Sequence, residues 1–164
     1  MRRSKPDAAQ GVANQDAVAC TRSAVELLAR REHSRRELTR KLGTRGFADD
    51  IIAGVLDDLE RSGALADERF TDTFVRSRVS KGQGPQRIRA ELAQRGIGGA
   101  AANEVLRGAE VDWLETIRAV RRKRFGPELP HDYAERAKQA RFLQYRGFDG
   151  EQIRAALELD GDSD

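Results

Sequence analysis

The sequence predicts an all-α protein, an elongated and curved array of three tandem three-helix repeats. Three observations predict it. First, the segments 37–56, 87–106 and 138–157 align without gaps. Second, each carries a leucine four residues before a glycine and another ten residues after it. These are Leu42, Gly46 and Leu56, then Leu92, Gly96 and Leu106, then Leu143, Gly147 and Leu157. Third, the alternating β-branched runs that mark strands are missing. Self-similarity at this length is the mark of stacked supersecondary units, none of which can bury its apolar face alone. Charged residues make up 35% of the chain, against roughly 25% in an ordinary domain. That excess suits an array with many exposed helix faces better than one compact ball.

The elements follow in order. Residues 1–14, rich in Ala, Gln, Gly and Asn, are expected to form a flexible tail. The first repeat, 15–64, opens with a helix over 16–31, where Val18, Val25 and Leu28 recur at near-helical spacing. Ser34 with Glu37 is a capping box for the second helix. Gly46 can adopt the left-handed conformation that closes a helix, and Phe47 after it can staple Ile52 at the start of the third. Gly63 is a stop. The second repeat, 65–108, begins with 67–80, where Phe70, Phe74 and Val75 supply the apolar stripe. Gly84-Pro85 puts proline at a first helical position. Ile97 faces only Ala102, a weaker staple, and Gly108 is the expected stop. The third repeat, 109–159, opens with 111–125, apolar at Val111, Trp113, Leu114, Ile117 and Val120. Phe148 pairs with Ile153, and Asp149 with Gln152 forms a second capping box. The acidic end, 160–164, is expected to fray.

Several function classes are excluded. Cys20 is the single cysteine, so no intramolecular disulfide forms, which fits a reducing compartment. It is expected to be a buried or inert thiol. Arg2, Arg3 and Lys5 imitate the start of a signal peptide, but no apolar region follows. The longest apolar stretch, 51–56, is interrupted by Gly54 and far short of the ~20 residues of a membrane span. A soluble, cytoplasmic monomer is expected. His33 and His131 lie outside any ligand-spaced cluster, so neither is a zinc ligand; His33 is expected near a helix end, solvated or matched to the helix dipole. Gly82-Gln83-Gly84-Pro85 lacks the third glycine of a dinucleotide loop and reads as a helix terminator. Asp49 and Asp50 favour a helix start, and Asp57, Asp58 and Glu60 a solvated face, rather than a metal site. No catalytic residue and no cofactor are expected.

Basic residues are the better lead. The 30 Lys and Arg nearly cancel the 27 Asp and Glu, for a net charge of +3, so their placement carries any electrostatic signal. The second repeat offers Arg76, Arg78, Lys81, Arg87, Arg89 and Arg95. The third offers Arg118, Arg121, Arg122, Lys123, Arg124 and Arg141. Guanidinium groups suit bidentate contacts to phosphate or carboxylate. In 118–124 few acids interleave, and Arg118, Arg121 and Arg122 can share a helix face. The other reading of each arginine is a solvated helix surface held by local ion pairs.

Four segments then resemble one family: SRRELTRKLGTRGF at 34–47, LADERFTDTFVRSR at 65–78, GPQRIRAELAQRGI at 84–97 and RAKQARFLQYRGF at 136–148. Together with the pattern of Gly63, Leu65, Asp67, Glu68, Arg69 and Phe70, they resemble RecX, the regulators of the bacterial recombinase RecA. The resemblance covers roughly 16–159. It implies a modular, non-enzymatic helical protein that binds the RecA–DNA filament. It further implies inhibition of filament extension, RecA ATPase, strand exchange and co-protease activity, and weak binding to single- or double-stranded DNA. The alternative is a DNA-binding protein of tandem helix-turn-helix units, independent of RecA. Against it, the helices after the turns offer mainly acidic or small residues where Arg, Asn or Gln should read bases.

Overall fold

The computed structural model describes residues 8–158. Among them are nine helices and no strand: α1 (Ala8–Leu28), α2 (Arg35–Thr44), α3 (Asp49–Arg61), α4 (Asp67–Ser80), α5 (Pro85–Gln94), α6 (Gly99–Gly108), α7 (Trp113–Phe125), α8 (Tyr133–Tyr145) and α9 (Gly150–Leu157). The order is the expected three sets of three. The chain forms two compact units, the first running through Phe70 and the second from Thr71.

In the first unit α1, α2 and α3 pack on one another around Cys20, Leu38, Leu42, Ile52 and Leu56. Helix α1 begins at Ala8, inside the stretch expected as a flexible tail; the start of that stretch and the acidic end at 160–164 lie outside the described residues. His33 departs from expectation. It is 2% exposed rather than solvated, and its Nδ1 lies 2.9 Å from the Arg31 carbonyl oxygen, to which it donates. Ser34 caps α2 by accepting from the Glu37 N–H at 3.1 Å. In the second unit α5 packs on α6, and α7, α8 and α9 pack together around Ile117, Leu143, Phe148 and Leu157.

The three repeated turns share one hydrogen-bond pattern. The Gly46 N–H donates to the Gly43 carbonyl at 2.9 Å, and the Phe47 N–H to the Leu42 carbonyl at 3.3 Å. Gly96 and Ile97 do the same to Ala93 and Leu92, and Gly147 and Phe148 to Gln144 and Leu143. This is the Schellman closure, which satisfies two carbonyls that a helix end leaves open. The three glycines sit at φ +92°, +84° and +98°, a region costly for residues with a Cβ. The geometry explains the leucine four residues before each glycine. Its carbonyl accepts from the N–H five residues on, and its side chain is buried, as are Ile97 and Phe148 after the turn, while Phe47 is half-buried against the first unit's core. Gly108 behaves differently from expectation: it is the last residue of α6, and Glu110, at φ 49°, makes the left-handed turn instead.

Gly82 and Gly84 have a role beyond ending α4. Within the second unit the Gly84 N–H donates to the Arg146 carbonyl at 2.8 Å and the Gln86 N–H to the Gly147 carbonyl at 3.0 Å. Arg146 reaches back, donating from Nε to the Gly82 carbonyl at 3.1 Å and from Nη2 to the Lys81 carbonyl. A Cβ on Gly84 would overlap the backbone of Gly147, and a Cβ on Gly147 would overlap Arg87. The α4–α5 loop and the α8–α9 turn thus dock backbone to backbone, and the second and third repeats share one compact unit.

Turn strain and joint overlap should be separable. Gly46→Ala, which meets open space, should cost about 1–2 kcal/mol from the left-handed backbone alone. Gly84→Ala, at φ −82°, should cost about 1–3 kcal/mol from overlap alone. Gly147→Ala carries both penalties and should cost most. Urea denaturation followed by circular dichroism ranks them; equal losses at Gly46 and Gly147 would mean that the joint opens freely.

Candidate functional site

No group of three or more His, Cys, Asp or Glu converges as a metal site among the described residues. No described helix is long and apolar enough to cross a membrane. Burial raises the pKa of the Cys20 thiol, which keeps it from the nucleophilic thiolate form.

The structure divides the candidate cations into three kinds. The first kind holds the fold. Arg78 donates from Nε to Glu91 at 2.7 Å, and Arg87 to the same carboxylate at 3.2 Å. Burial pushes the Glu91 carboxyl up, but hydrogen bonds from these two arginines outweigh it and hold the pKa below the ordinary carboxylate value. Arg78 and Arg95 lie over the Phe74 ring, at 4.3 and 4.7 Å from its centroid. This stack and the shared carboxylate tie α4 to α5. Arg87 also lies over the Tyr145 ring at 5.4 Å.

Arg121 corrects the expected surface stripe on α7. It is 3% exposed, and its guanidinium donates to the carbonyls of Glu128 at 2.7 Å and Pro127 at 2.9 Å. Desolvation, and then the neighbouring charge of Arg122, lower its pKa. The side chain fastens the loop between α7 and α8; it does not stand beside Arg118 and Arg122 on an open face. The sequence carried no signal for this, because the carbonyls that hold Arg121 belong to backbone, which any residue supplies.

The second kind is exposed or half-exposed and locally engaged. Arg76 pairs with Asp72 at 3.1 Å, Arg122 with Glu115 at 2.5 Å, and Arg89 donates to Asn103 at 2.6 Å. Arg118 is half-exposed and has a partner within the chain. The third kind is exposed and has no carboxylate partner among the described residues: Lys81, Lys123, Arg124 and Arg141. Arg124 lies over its neighbour Phe125 at 5.5 Å.

Three of these four, Lys81, Lys123 and Arg124, border one groove of ≈ 820 Å³. It runs between α7 and the end of α4, with Val79, Ala119, Val120 and Phe142 among its apolar lining. Sequence spacing could group Lys123 with Arg124, but only the docked joint brings Lys81 to them. In the first unit, α3 exposes Asp49, Asp50, Asp57 and Asp58. Asp57 and Asp58 pair with Arg35 and Arg61, but Asp49 and Asp50 at the helix start repel phosphate, which opposes the helix-turn-helix alternative for that repeat.

Comparison with known proteins agrees with this architecture. Three family models match in series: the first three-helix domain of RecX over 20–59, the second over 67–106 and the third over 110–157. The chain belongs to the RecX family. "Regulatory protein RecX" of Halorhodospira halophila is 53% identical over 134 residues, 82% of this chain and 83% of the relative. That of Ectopseudomonas mendocina is 47% identical over 131 residues, 80% and 87% of the two chains. A crystal structure of RecX from Lactobacillus salivarius superposes with TM-score 0.74 at 20% identity, covering 87% of this chain and 95% of that one. At that identity the likeness is one of fold. RecX is a family of regulatory proteins, not of enzymes.

Two side chains give tests of this division. Arg121→Met should destabilise the second unit by about 1–3 kcal/mol, because two carbonyls lose a charged donor; an unchanged urea midpoint would return Arg121 to the surface set. Burial lowers the His33 pKa from its ordinary 6.5, against a smaller lift from the Arg31 carbonyl. Below that pH the unfolded chain takes up a proton that folded His33 resists, so stability is lost until the pH passes the folded pKa. Urea titrations between pH 7.5 and 5 should show that loss in the wild type and a smaller one in His33→Gln.

Proposed function

We propose that this chain binds the RecA–DNA filament and inhibits its extension, and with it RecA ATPase, strand exchange and co-protease activity. The observation that carries the reading is the match to all three RecX domains in order. The regulatory name borne by relatives about half identical to this chain supports it. The segments quoted from the sequence add the resemblance to regulators of RecA.

The contact face in this reading is the exposed basic surface of the second unit. Lys81, Lys123, Arg124 and Arg141 provide charge without a carboxylate partner among the described residues, and Arg76, Arg89, Arg118 and Arg122 are the locally engaged candidates. Arg78, Arg87, Arg95 and Arg121 support that face from within. Long-range attraction to an acidic protein face or to filament-bound phosphate speeds encounter and orients docking. Weak direct binding to single- or double-stranded DNA follows from the same charge. The reading makes the protein a cytoplasmic monomer acting in DNA repair and the SOS response, without a cofactor.

RecA ATPase on preassembled single-stranded DNA filaments, titrated with this chain at one fixed salt concentration, tests the proposal. Inhibition is expected to be saturable. Reversal of Lys123 and Arg124 to glutamate should weaken it about tenfold, as for loss of close charge pairs, with helicity unchanged. Equal inhibition by the folded reversal would exclude that face, and no effect of the wild type on its cognate filament would overturn the function.

A further inference from the structure

We propose that the groove between α7 and the end of α4 is a docking site for an acidic polypeptide segment that carries an apolar side chain. This deepens the regulatory reading, on which it rests, by naming the chemistry of what the groove holds. The first argument is how the groove is built. Its α7 lining recurs at Asp112, Glu115, Thr116, Ala119, Val120, Lys123 and Arg124, a spacing of three or four residues that defines one helix face. The facing wall is the α4 end and its loop, pressed close: a Cβ on Gly82 would come within 2.6 Å of the Val120 side chain. Arg146 closes one side, with its donors directed to the carbonyls of Lys81 and Gly82. The walls are therefore fixed by backbone hydrogen bonds between two repeats, a preorganised surface that needs little ordering on binding.

The second argument is the balance of charge. The acids in the groove are already engaged within the chain. Asp112 accepts from the Glu115 N–H at 2.9 Å as the cap of α7, and Glu115 pairs with Arg122. The bases are not: Lys81 and Lys123 are exposed and have no carboxylate partner among the described residues. Arg124 lies over the Phe125 ring and has no carboxylate partner among the described residues. The surplus is cationic and gathered at one end, so the fitting ligand is anionic there.

The third argument selects polypeptide over nucleic acid. The floor of Val79, Ala119 and Val120 is aliphatic. The one aromatic residue lining the groove, Phe142, is half-buried and meets Phe125 edge to face at 5.3 Å. With no second aromatic side chain among the described lining residues, the groove has no platform on which successive nucleotide bases stack. A sugar-phosphate backbone would leave the aliphatic floor without a partner, whereas an aspartate- or glutamate-rich segment with a leucine or phenylalanine satisfies both floor and rim.

Fluorescence anisotropy with the full chain tests this. The probes are a labelled peptide of alternating Asp and Leu, its Asn-for-Asp counterpart, and an oligothymidylate of equal charge. RecA is absent, so failure here leaves the filament reading standing and is distinguishable from failure of the ATPase test. Saturable binding of the acidic peptide is expected, with the Asn peptide and the oligothymidylate weaker. Lys81→Ser with Lys123→Ser should weaken it at least about tenfold, and Ala119→Trp, which fills the groove, should abolish it. Arg136→Ser, on an exposed position outside the groove, should leave it unchanged. Circular dichroism melts select folded variants; should Ala119→Trp not fold, the lysine pair alone decides. Acidic-peptide binding indifferent to the lysine pair, preference for the oligothymidylate, or no saturable peptide binding up to millimolar concentration would each overturn the proposal.

Discussion

The closure of each helix by a glycine and the apolar residue after it is the constraint on which the structure depends. In all three repeats the amide of that apolar residue returns to the carbonyl of a leucine five positions earlier, at 3.0 to 3.3 Å. One turn thus does two things. It satisfies carbonyls that would otherwise stand open at a helix end, and it directs the apolar side chain, with the leucine, into the core that receives the next helix. A small helical unit has little apolar material, so placing two of its anchors through one hydrogen-bonded turn is an efficient use of few residues. At the end of α6, where only the small Ala109 follows Gly108, this closure is not made, and Glu110 takes the left-handed position instead.

The same turn acquires a second use in the third repeat. Gly147 exposes its carbonyl to the Gln86 N–H, and Gly84 approaches too closely for any side chain on either residue. The arginine of the repeated Arg-Gly pair shows how context alters one residue. Arg45 hydrogen-bonds the hydroxyl of Ser23 within its own unit, Arg95 lies over Phe74, and Arg146 clamps the carbonyls of Lys81 and Gly82. Identical spacing in the chain therefore yields a hydrogen bond within one unit, a cation–π contact and an inter-repeat clasp. The clasp also brings Lys81 to Lys123 and Arg124, linking the architecture to the groove proposed as a binding surface.

Charge in this protein is partitioned by partner rather than by sequence. Arg121, Arg122, Lys123 and Arg124 are consecutive, and a helix turns by about 100° per residue, so a run of four must face in every direction. One of them meets the α7–α8 loop and is buried, one finds Glu115, and two face the groove. A basic run reports positive potential, but only packing decides which members supply it to a partner.

The sequence by itself determined the helical class, the number and order of repeats, and the turn positions. It could do so because left-handed glycine, N-terminal capping and helical periodicity are local: each acts within about one turn of its own residue. The buried leucine and apolar pair flanking each glycine was legible for the same reason. Tertiary structure alone decided the rest. Burial of His33 and Arg121 depends on carbonyls, which carry no side-chain signature. The start of α1 at Ala8 shows helix extending through Ala, Gln, Gly and Asn without a strong apolar stripe. The division of the arginines depends on Glu91, Phe74 and Tyr145, up to fifty-eight positions from the side chains they meet. The pairing of Arg87 with Tyr145 lies at the joint where backbone meets backbone at Gly84 and Gly147, an approach determined by the packing of whole repeats rather than by any one segment of the chain.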